Sequence, residues 1–390
     1  MRPKILILPS WYPSEAYPLP GIFIEDQAVL LAKKYDVAVL FPILIGYREI
    51  LSWKFRPRIY RKEDDGFKVY SERTLAPFPR KSCLAYSSYY RKARQGFKKL
   101  LDTWGKPDLI HAHVVLPAGW TAIRLGQEFS VPVVLTEHSG PFSMHLKTDC
   151  SRRLARETLL KVNRIIAVSP SLVKQIRAFQ DDLEIEVIGN VARTDFFKPV
   201  EIEAEASPHK TRFLSIGSLL KEKGFIYLLE AAQLLKQRGF LSFELMIGGE
   251  GPERGRLEHY VEVFGLSEQC HFLGPLSRMQ VRDQMQECDV FVLPSLQETF
   301  SVVLVEAMAC GKPVIATHCG GPEFIVTSET GILVDVADAH GLAEAMGKFI
   351  SGQARYHPEV IRKYIADRFG EQTFISNISA IYEQVWKGQS

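Results

Sequence analysis

The chain has 390 residues, 46% hydrophobic and 24% charged, with 48 Lys plus Arg against 45 Asp plus Glu and a formal net charge of +3. That composition is ordinary for a globular protein of two domains, large enough to bury its cores without disulfide or metal staples. The near-neutral sum argues against a general nucleic-acid binder, and no apolar run approaches the roughly 20 residues of a membrane span.

Short apolar runs alternate with longer amphipathic stretches along the first half. Strands are expected at Lys4–Leu8, Val37–Phe41, Leu109–Ala112, Val133–Thr136, Arg164–Val168 and Glu184–Ile188. Helices are expected between them at Ile22–Lys34, Ser87–Thr103, Ala118–Glu128, Arg152–Lys161 and Ser171–Phe179. Residues 198–210 are polar and hold two prolines, which reads as a linker. Alternation then resumes with strands at Phe213–Gly217, Phe243–Ile247, Val290–Pro294, Pro313–Thr317 and Gly331–Val334. The helices of this half are expected at Gly224–Arg238, Pro252–Phe264, Ser301–Cys310, Ala339–Ile350 and Pro358–Arg368, with a last one around Glu371–Trp386. Such alternation implies α/β architecture, two doubly wound Rossmann-like domains with parallel sheets and ligands beyond the carboxyl ends of the strands. The expected domains are residues 1–197, completed by the C-terminal helix 371–390, and residues 198–370, facing each other across a cleft.

The charge is segregated. Residues 41–100 hold 15 basic and 5 acidic residues, +10, while the rest holds 33 basic and 40 acidic, −7. Twelve aromatics, including Trp53, Phe55, Tyr60, Tyr86, Tyr89, Tyr90 and Phe97, interleave with those basic residues. The pattern suits either nucleic acid or an anionic membrane surface, and a solvated helix face over core aromatics would look the same. The six cysteines are scattered with no CxxC pair, which fits free thiols in a reducing cytosol and argues against structural zinc. The apolar run Ile5–Leu8 stops at Pro9, too short for a signal-peptide core.

The most informative stretch runs from Asp289 to Ala316. A buried strand leads through Pro294-Ser295 into a turn, and a helix is expected from about Thr299. Glu298 would stand beside the free N–H groups of Phe300, Ser301 and Val302, an end that attracts anions and polar oxygens. Glu306, eight residues on, would lie about 12 Å further along the same side. Two such acceptors suit a polyhydroxylated ligand, although a helix cap and a surface glutamate would look the same. Elsewhere, Gly249-Glu-Gly251-Pro-Glu-Arg254 lacks the third glycine of a dinucleotide fingerprint, and no P-loop is present.

This stretch strongly resembles the signature of family 4 of the retaining glycosyltransferases, with the GT-B fold of two Rossmann-like domains. The resemblance covers nearly the whole chain. It includes Ile216-Gly-Ser-Leu-Leu-Lys-Glu-Lys223-Gly224, Gly248-Gly-Glu-Gly251-Pro252, His271-Phe-Leu-Gly274, Gly311-Lys-Pro-Val-Ile-Ala-Thr, Gly320-Gly-Pro-Glu and Gly331-Ile-Leu-Val. Trp11-Tyr-Pro through Gly21-Ile-Phe, and Asp108-Leu-Ile-His-Ala-His113 with Pro117-Ala-Gly, look like the acceptor-side loops. By this resemblance Glu298 would hold the transferred sugar, Glu306 the ribose, and Lys223 the diphosphate leaving group. Gly21 would bring backbone N–H groups to the phosphates. His113 would stand near the sugar and acceptor, with His138 lining the same region. His111, two residues earlier, is expected on the opposite face of its strand.

One departure matters. The family usually carries an arginine five residues before the lysine, and here that position is Ser218, uncharged and able to donate one hydrogen bond. Arg254 and Lys221 are candidate replacements. The resemblance implies no metal and no cofactor, the donor being a nucleoside diphosphate sugar, uridine favoured over guanosine. A hexose or N-acetylhexosamine would pass, with retention, to a glycan or lipid-linked acceptor of a surface polysaccharide or glycolipid. It also implies a cytoplasmic enzyme attached peripherally to the inner face of the membrane through residues 41–100, with no nucleic-acid partner. A non-catalytic nucleotide-sugar-binding subunit and a sugar-nucleotide epimerase on the same fold remain open alternatives. A phosphorylase lacks its cofactor-lysine context.

Overall fold

A computed structural model describes residues 2–14, 20–45, 66–75, 82–200 and 210–388. The chain forms two compact units, Met1–Gly189 with Phe374–Ser390, and Asn190–Thr373.

The first unit holds a seven-stranded parallel sheet of β1 (Lys4–Pro9), β2 (Asp36–Ile45), β3 (Lys68–Leu75), β4 (Leu109–His113), β5 (Val133–Glu137), β6 (Arg164–Ala167) and β7 (Ile185–Val187). Its order is β3-β2-β1-β4-β5-β6-β7. The second unit holds a six-stranded parallel sheet of β8 (Thr211–Ile216), β9 (Phe243–Gly248), β10 (Cys270–Gly274), β11 (Val290–Leu293), β12 (Val314–Thr317) and β13 (Gly331–Val334). Its order is β10-β9-β8-β11-β12-β13. Strands β4, β5, β11 and β12 are buried along their whole length, as expected of continuous apolar runs covered on both faces. Both sheets reverse strand order once, between β1 and β4 and between β8 and β11. In open α/β sheets that reversal opens a crevice at the carboxyl ends of the strands.

Elements that the apolar pattern does not announce include the edge strand β10 and the short helix Pro322–Ile325. Strand β3 is an edge strand whose sequence, Lys-Val-Tyr-Ser-Glu-Arg-Thr-Leu, is mostly polar. The helix Arg278–Glu287 buries only Met285 and is announced instead by its capping box, Ser277 with Gln280. The second unit also begins earlier than the polar stretch suggests. Ala192 N donates to Phe369 O, and the Arg362 guanidinium donates to Thr194 O, Phe197 O and Ala309 O, so residues 190–197 belong with that unit.

The C-terminal helix Glu371–Lys387 packs on the first unit from Phe374 onward. Tyr35 Oη donates to Ser379 Oγ at 2.8 Å, Trp386 Nε1 to Asp108 O at 3.2 Å, and the Tyr382 hydroxyl meets His111 Nδ1 at 2.7 Å.

The thiol reading needs correction. Cys83, at the start of the helix Cys83–Thr103, and Cys150, on the helix Asp149–Lys161, are joined as a disulfide with Cα atoms 6.2 Å apart. Their 67-residue separation hid a pairing that depends on the tertiary fold. Much of the basic window, residues 46–65 and 76–81, lies outside the described residues, as do 201–209 of the expected linker. Within the described part, Tyr86, Tyr89 and Phe97 are core residues, and Tyr89 Oη donates to Pro9 O at 2.6 Å. Those aromatics therefore face inward and leave Arg91, Lys98 and Lys99 on the outer side of their helix.

Candidate active site

In the second unit the loop after β8 carries Ser218 and Lys223. Backbone bonds zip it to the loop after β9, with Gly217 N donating to Gly248 O and Leu219 N to Glu250 O, both at 3.0 Å. Residues Lys221–Lys223 make a 3-10 turn that ends at Gly224, where φ is +65°. A Cβ at Gly224 would meet Pro294 O at 2.1 Å, so only glycine lets this turn lie against the end of β11. Leu296 N donates across the same seam to Glu222 O at 2.8 Å. The seam brings Lys223 Nζ to Glu298 Oε1 at 2.7 Å, and Ser295 Oγ donates to the same oxygen at 2.8 Å. Glu298 N is tied in turn to Cys319 O at 3.0 Å. A carboxylate with 11% of its side chain exposed thus has a fixed position and a fixed cationic partner.

A cavity of about 180 Å³ opens here. Its wall includes Ser218, Lys223, Ser295, Glu298, Ser301 and Val302. Two helices begin at it, Phe225–Gln237 behind Gly224 and Val302–Ala309 behind Ser301, and neither has a side-chain cap bond or an acidic first turn. Their leading N–H groups carry partial positive charge, so the cavity pairs a lysine with two helix dipoles.

The structure also separates residues that sequence spacing put together. The second helix starts at Val302, one residue after the expected Ser301 and three after the Thr299 start that would put Glu298 at its first turn, because Ser301 takes a left-handed conformation at φ +80°, ψ +89°. Phe300 therefore precedes the helix, buries its ring against Phe369 at 5.3 Å between centroids, and does not line the cavity. Glu306 lies within the helix, 7% exposed, and also falls outside the cavity wall. Glu298 and Glu306 thus do not share one helical face. Arg254 pairs with Glu250 at 2.7 Å and with Glu258 at 2.8 Å on the helix Arg254–Val263, away from the cavity wall, and Lys221 does not line it either.

The first unit gathers its own polar cluster where β1, β4 and β5 end. Gly21 precedes the helix Ile22–Ala32 at φ +79°, and a Cβ there would meet Trp11 O at 2.7 Å, so the loop presses on the Trp11 backbone. Two residues after Gly21, the Phe23 ring packs on His138 with centroids 4.8 Å apart. His138 Nε2 meets His113 Nδ1 at 2.9 Å, and His113 Nε2 is buried without a hydrogen-bond partner. His111 and His113 share a face, with rings 4.3 Å apart, because two residues complete one pleat of a strand. Opposite faces were the wrong expectation. His111 closes a chain from the Tyr382 hydroxyl to Thr136 Oγ1, each contact 2.7 Å. Burial pushes the pKa of His111 down to about 3. It also holds His113 well below the ordinary range, with His111 and His138 adding to the effect, so this pair is neutral.

Glu137 went unnoticed in the sequence and organises that cluster. It is fully buried. Its Oε2 accepts from Val115 N at 2.7 Å, while Oε1 accepts from His138 N at 3.0 Å, Ser139 N at 2.8 Å and the Ser139 hydroxyl. An acid ending an apolar strand was the available signal.

Two family models match. Glycosyl transferases group 1 matches residues 198–368, and Glycosyltransferase Family 4 matches residues 30–196. Among curated proteins, TuaC of Bacillus subtilis, a glycosyltransferase assigned to teichuronic acid biosynthesis, is 28% identical over 92% of this chain and 91% of its own. Among solved structures, sucrose-phosphate synthase of Thermosynechococcus elongatus superposes with a TM-score of 0.78 at 21% identity over 100% of both chains. HepE of Anabaena in complex with UDP superposes at 0.73 and 20% identity, over 98% of this chain and 100% of its own. With two doubly wound sheets, loops that meet at their reversals and family matches running from residue 30 to 368, the chain belongs to the family 4 glycosyltransferases of GT-B fold.

Proposed function

We propose that the enzyme transfers a hexose or N-acetylhexosamine, with retention, from a nucleoside diphosphate sugar to a glycan or lipid-linked acceptor in surface polysaccharide or glycolipid synthesis. The observation that carries this reading is the cavity where Lys223 and Ser295 converge on Glu298 beside two uncapped helix starts. In this reading Glu298 accepts hydrogen bonds from the hydroxyls of the transferred sugar. Lys223 and the N–H groups behind Gly224 and Ser301 neutralise the diphosphate as the glycosidic bond breaks, which is where negative charge grows. Glu306 holds the ribose, and Gly21 offers backbone N–H groups to the phosphates. His113, neutral and with Nε2 unpartnered, receives an acceptor hydroxyl, with His138 orienting it. No metal is needed for this electrostatic work. UDP bound to HepE supports uridine as the base, and the role assigned to TuaC supports a polysaccharide acceptor. The epimerase and the non-catalytic subunit gain no support from these matches.

Attachment to the inner face of the membrane through residues 41–100 belongs to the same proposal. No described helix is long and apolar enough to cross a membrane. The outer side of the helix Cys83–Thr103 contributes positive charge through Arg91, Lys98 and Lys99. Co-sedimentation with anionic vesicles checks it, and binding indifferent to lipid charge refutes it.

Glu298→Ala tests the catalytic reading. Its expected effect is at least a 100-fold loss of turnover of the nucleotide sugar, by analogy with removal of one transition-state contact. Turnover equal to that of the unmodified enzyme would falsify the assignment. A thermal-shift screen of uridine and guanosine diphosphate sugars identifies the donor, since a ligand at 100 times its Kd adds about 2.7 kcal/mol to stability.

A further inference from the structure

We propose that the Ser301 side-chain hydroxyl is a direct ligand of the terminal phosphate of the nucleoside diphosphate, and takes over part of the role an arginine at position 218 would fill. The inference rests on the donor reading of this cavity.

Two observations on one residue carry it. Ser301 holds φ +80° and ψ +89°, a conformation that glycine adopts freely and that costs a residue with a Cβ on the order of 1–3 kcal/mol. Its Oγ is also buried without a hydrogen-bond partner, at 8% residue exposure. Glycine at 301 would remove both penalties. A serine there keeps a donor in the cavity wall that the protein itself leaves unused.

The surroundings define the partner of that donor. The neighbouring polar groups are already engaged: Ser295 Oγ with Glu298, and Thr317 Oγ1 with Ser295 O. Lys223 lines the same wall, as do Val302 and Val303, the first two residues of the helix Val302–Ala309. A hydroxyl beside a cation and the positive end of a helix meets an oxyanion, not another donor. Ser218 and Lys223 come from the loop after β8 and Ser301 from the loop after β11, so two hydroxyls share the wall with Lys223 where a guanidinium would have supplied a fork of donors and a charge. Serine is also small enough to leave the cavity of about 180 Å³ open.

Calorimetric titration of the full chain with UDP and UMP, and with GDP and GMP, tests this. The unmodified protein is expected to bind one diphosphate more tightly than its monophosphate. Ser301→Ala and Ser301→Gly should each weaken the diphosphate about tenfold and leave the monophosphate unchanged. Ser301→Gly should also raise the melting temperature, because it relieves the backbone, and this variant is the safeguard against misfolding. Diphosphate affinity unchanged in either variant overturns the proposal and leaves the donor site standing. Equal weakening of mono- and diphosphate also overturns it, because the hydroxyl then serves another part of the nucleotide. Should the unmodified protein bind none of the four nucleotides, the donor reading fails and takes the proposal with it.

Discussion

Both units place a polar cluster at the carboxyl ends of their strands, beside the reversal of the sheet, yet the clusters are built oppositely. In the first unit the hub is Glu137, fully buried, with donors on both oxygens; beside it His111 and His113 are neutral, and His113 stacks on His138. In the second unit the hub is an ion pair, Lys223–Glu298, on the wall of a cavity, next to helix starts without caps and a serine hydroxyl without a partner. Polar groups that satisfy one another hold a fold. Polar groups left under-satisfied in a fixed geometry await a ligand. The same topology therefore carries one cluster centred on a satisfied carboxylate that shapes its loops, with His113 Nε2 left open beside it, and one centred on an ion pair in a cavity wall.

Mutations should separate these roles. None of the five tryptophans, at positions 11, 53, 104, 120 and 386, lies within residues 190–373, so their fluorescence does not follow unfolding of the second unit. The largest effect is expected at Glu137→Ala, which strands several buried donors and should cost about 3–5 kcal/mol in urea unfolding read by tryptophan. A loss below about 1 kcal/mol would mean that the loops after β4 and β5 hold without this hub. Next comes Lys223→Ala. Its kcat/KM for the nucleotide sugar should fall roughly 100-fold. The tryptophan-detected transition should stay in place, because the lysine belongs to the other unit and a part-exposed pair contributes about 1 kcal/mol or less.

Acid sharpens the contrast further. His111 is held neutral with its pKa near 3, below the unfolded value of about 6.5, so the unfolded chain binds the extra proton first. Stability of the first unit is therefore full above pH 6.5 and lost as the pH falls toward 3. His111 alone should account for about 2 kcal/mol at pH 5, and His113 acts in the same direction. Urea midpoints from pH 7 to pH 5 check this, and a His111→Asn chain should show a shallower slope. The smallest effect is expected at Tyr382→Phe. It removes the hydroxyl contact to His111 Nδ1 for about 1 kcal/mol and should leave nucleotide affinity untouched.

The alternation of apolar runs was enough to read eleven of the thirteen described strands, all but the edge strands β3 and β10, since buried parallel strands announce themselves by composition. The polar edge strand Lys68–Leu75 did not, because its pairing with β2 rather than its own pattern makes it a strand. At the site, Lys223, Ser218 and Glu298 were legible because glycines fix their loops at set spacings, and the fold brings them to one cavity. The eight-residue interval between Glu298 and Glu306 misled, since it assumed a continuous helix that the left-handed Ser301 interrupts. Glu137 and the Cys83–Cys150 pair depend on partners distant in the chain, which spacing alone does not reveal.

The helix Glu371–Lys387 sets an order of assembly during synthesis. The second unit is one continuous stretch, complete once residue 373 has been made. The first unit gains the partners of His111, Tyr35 and Asp108 only from residues 382, 379 and 386. At a translation rate of roughly 5–20 residues per second, its sheet waits about 10–40 s between the making of Gly189 and the arrival of that helix. The half of the enzyme that emerges first from the ribosome is thus the half that finishes last, and a chaperone holding the nascent chain would have its longest task on the face the final helix covers.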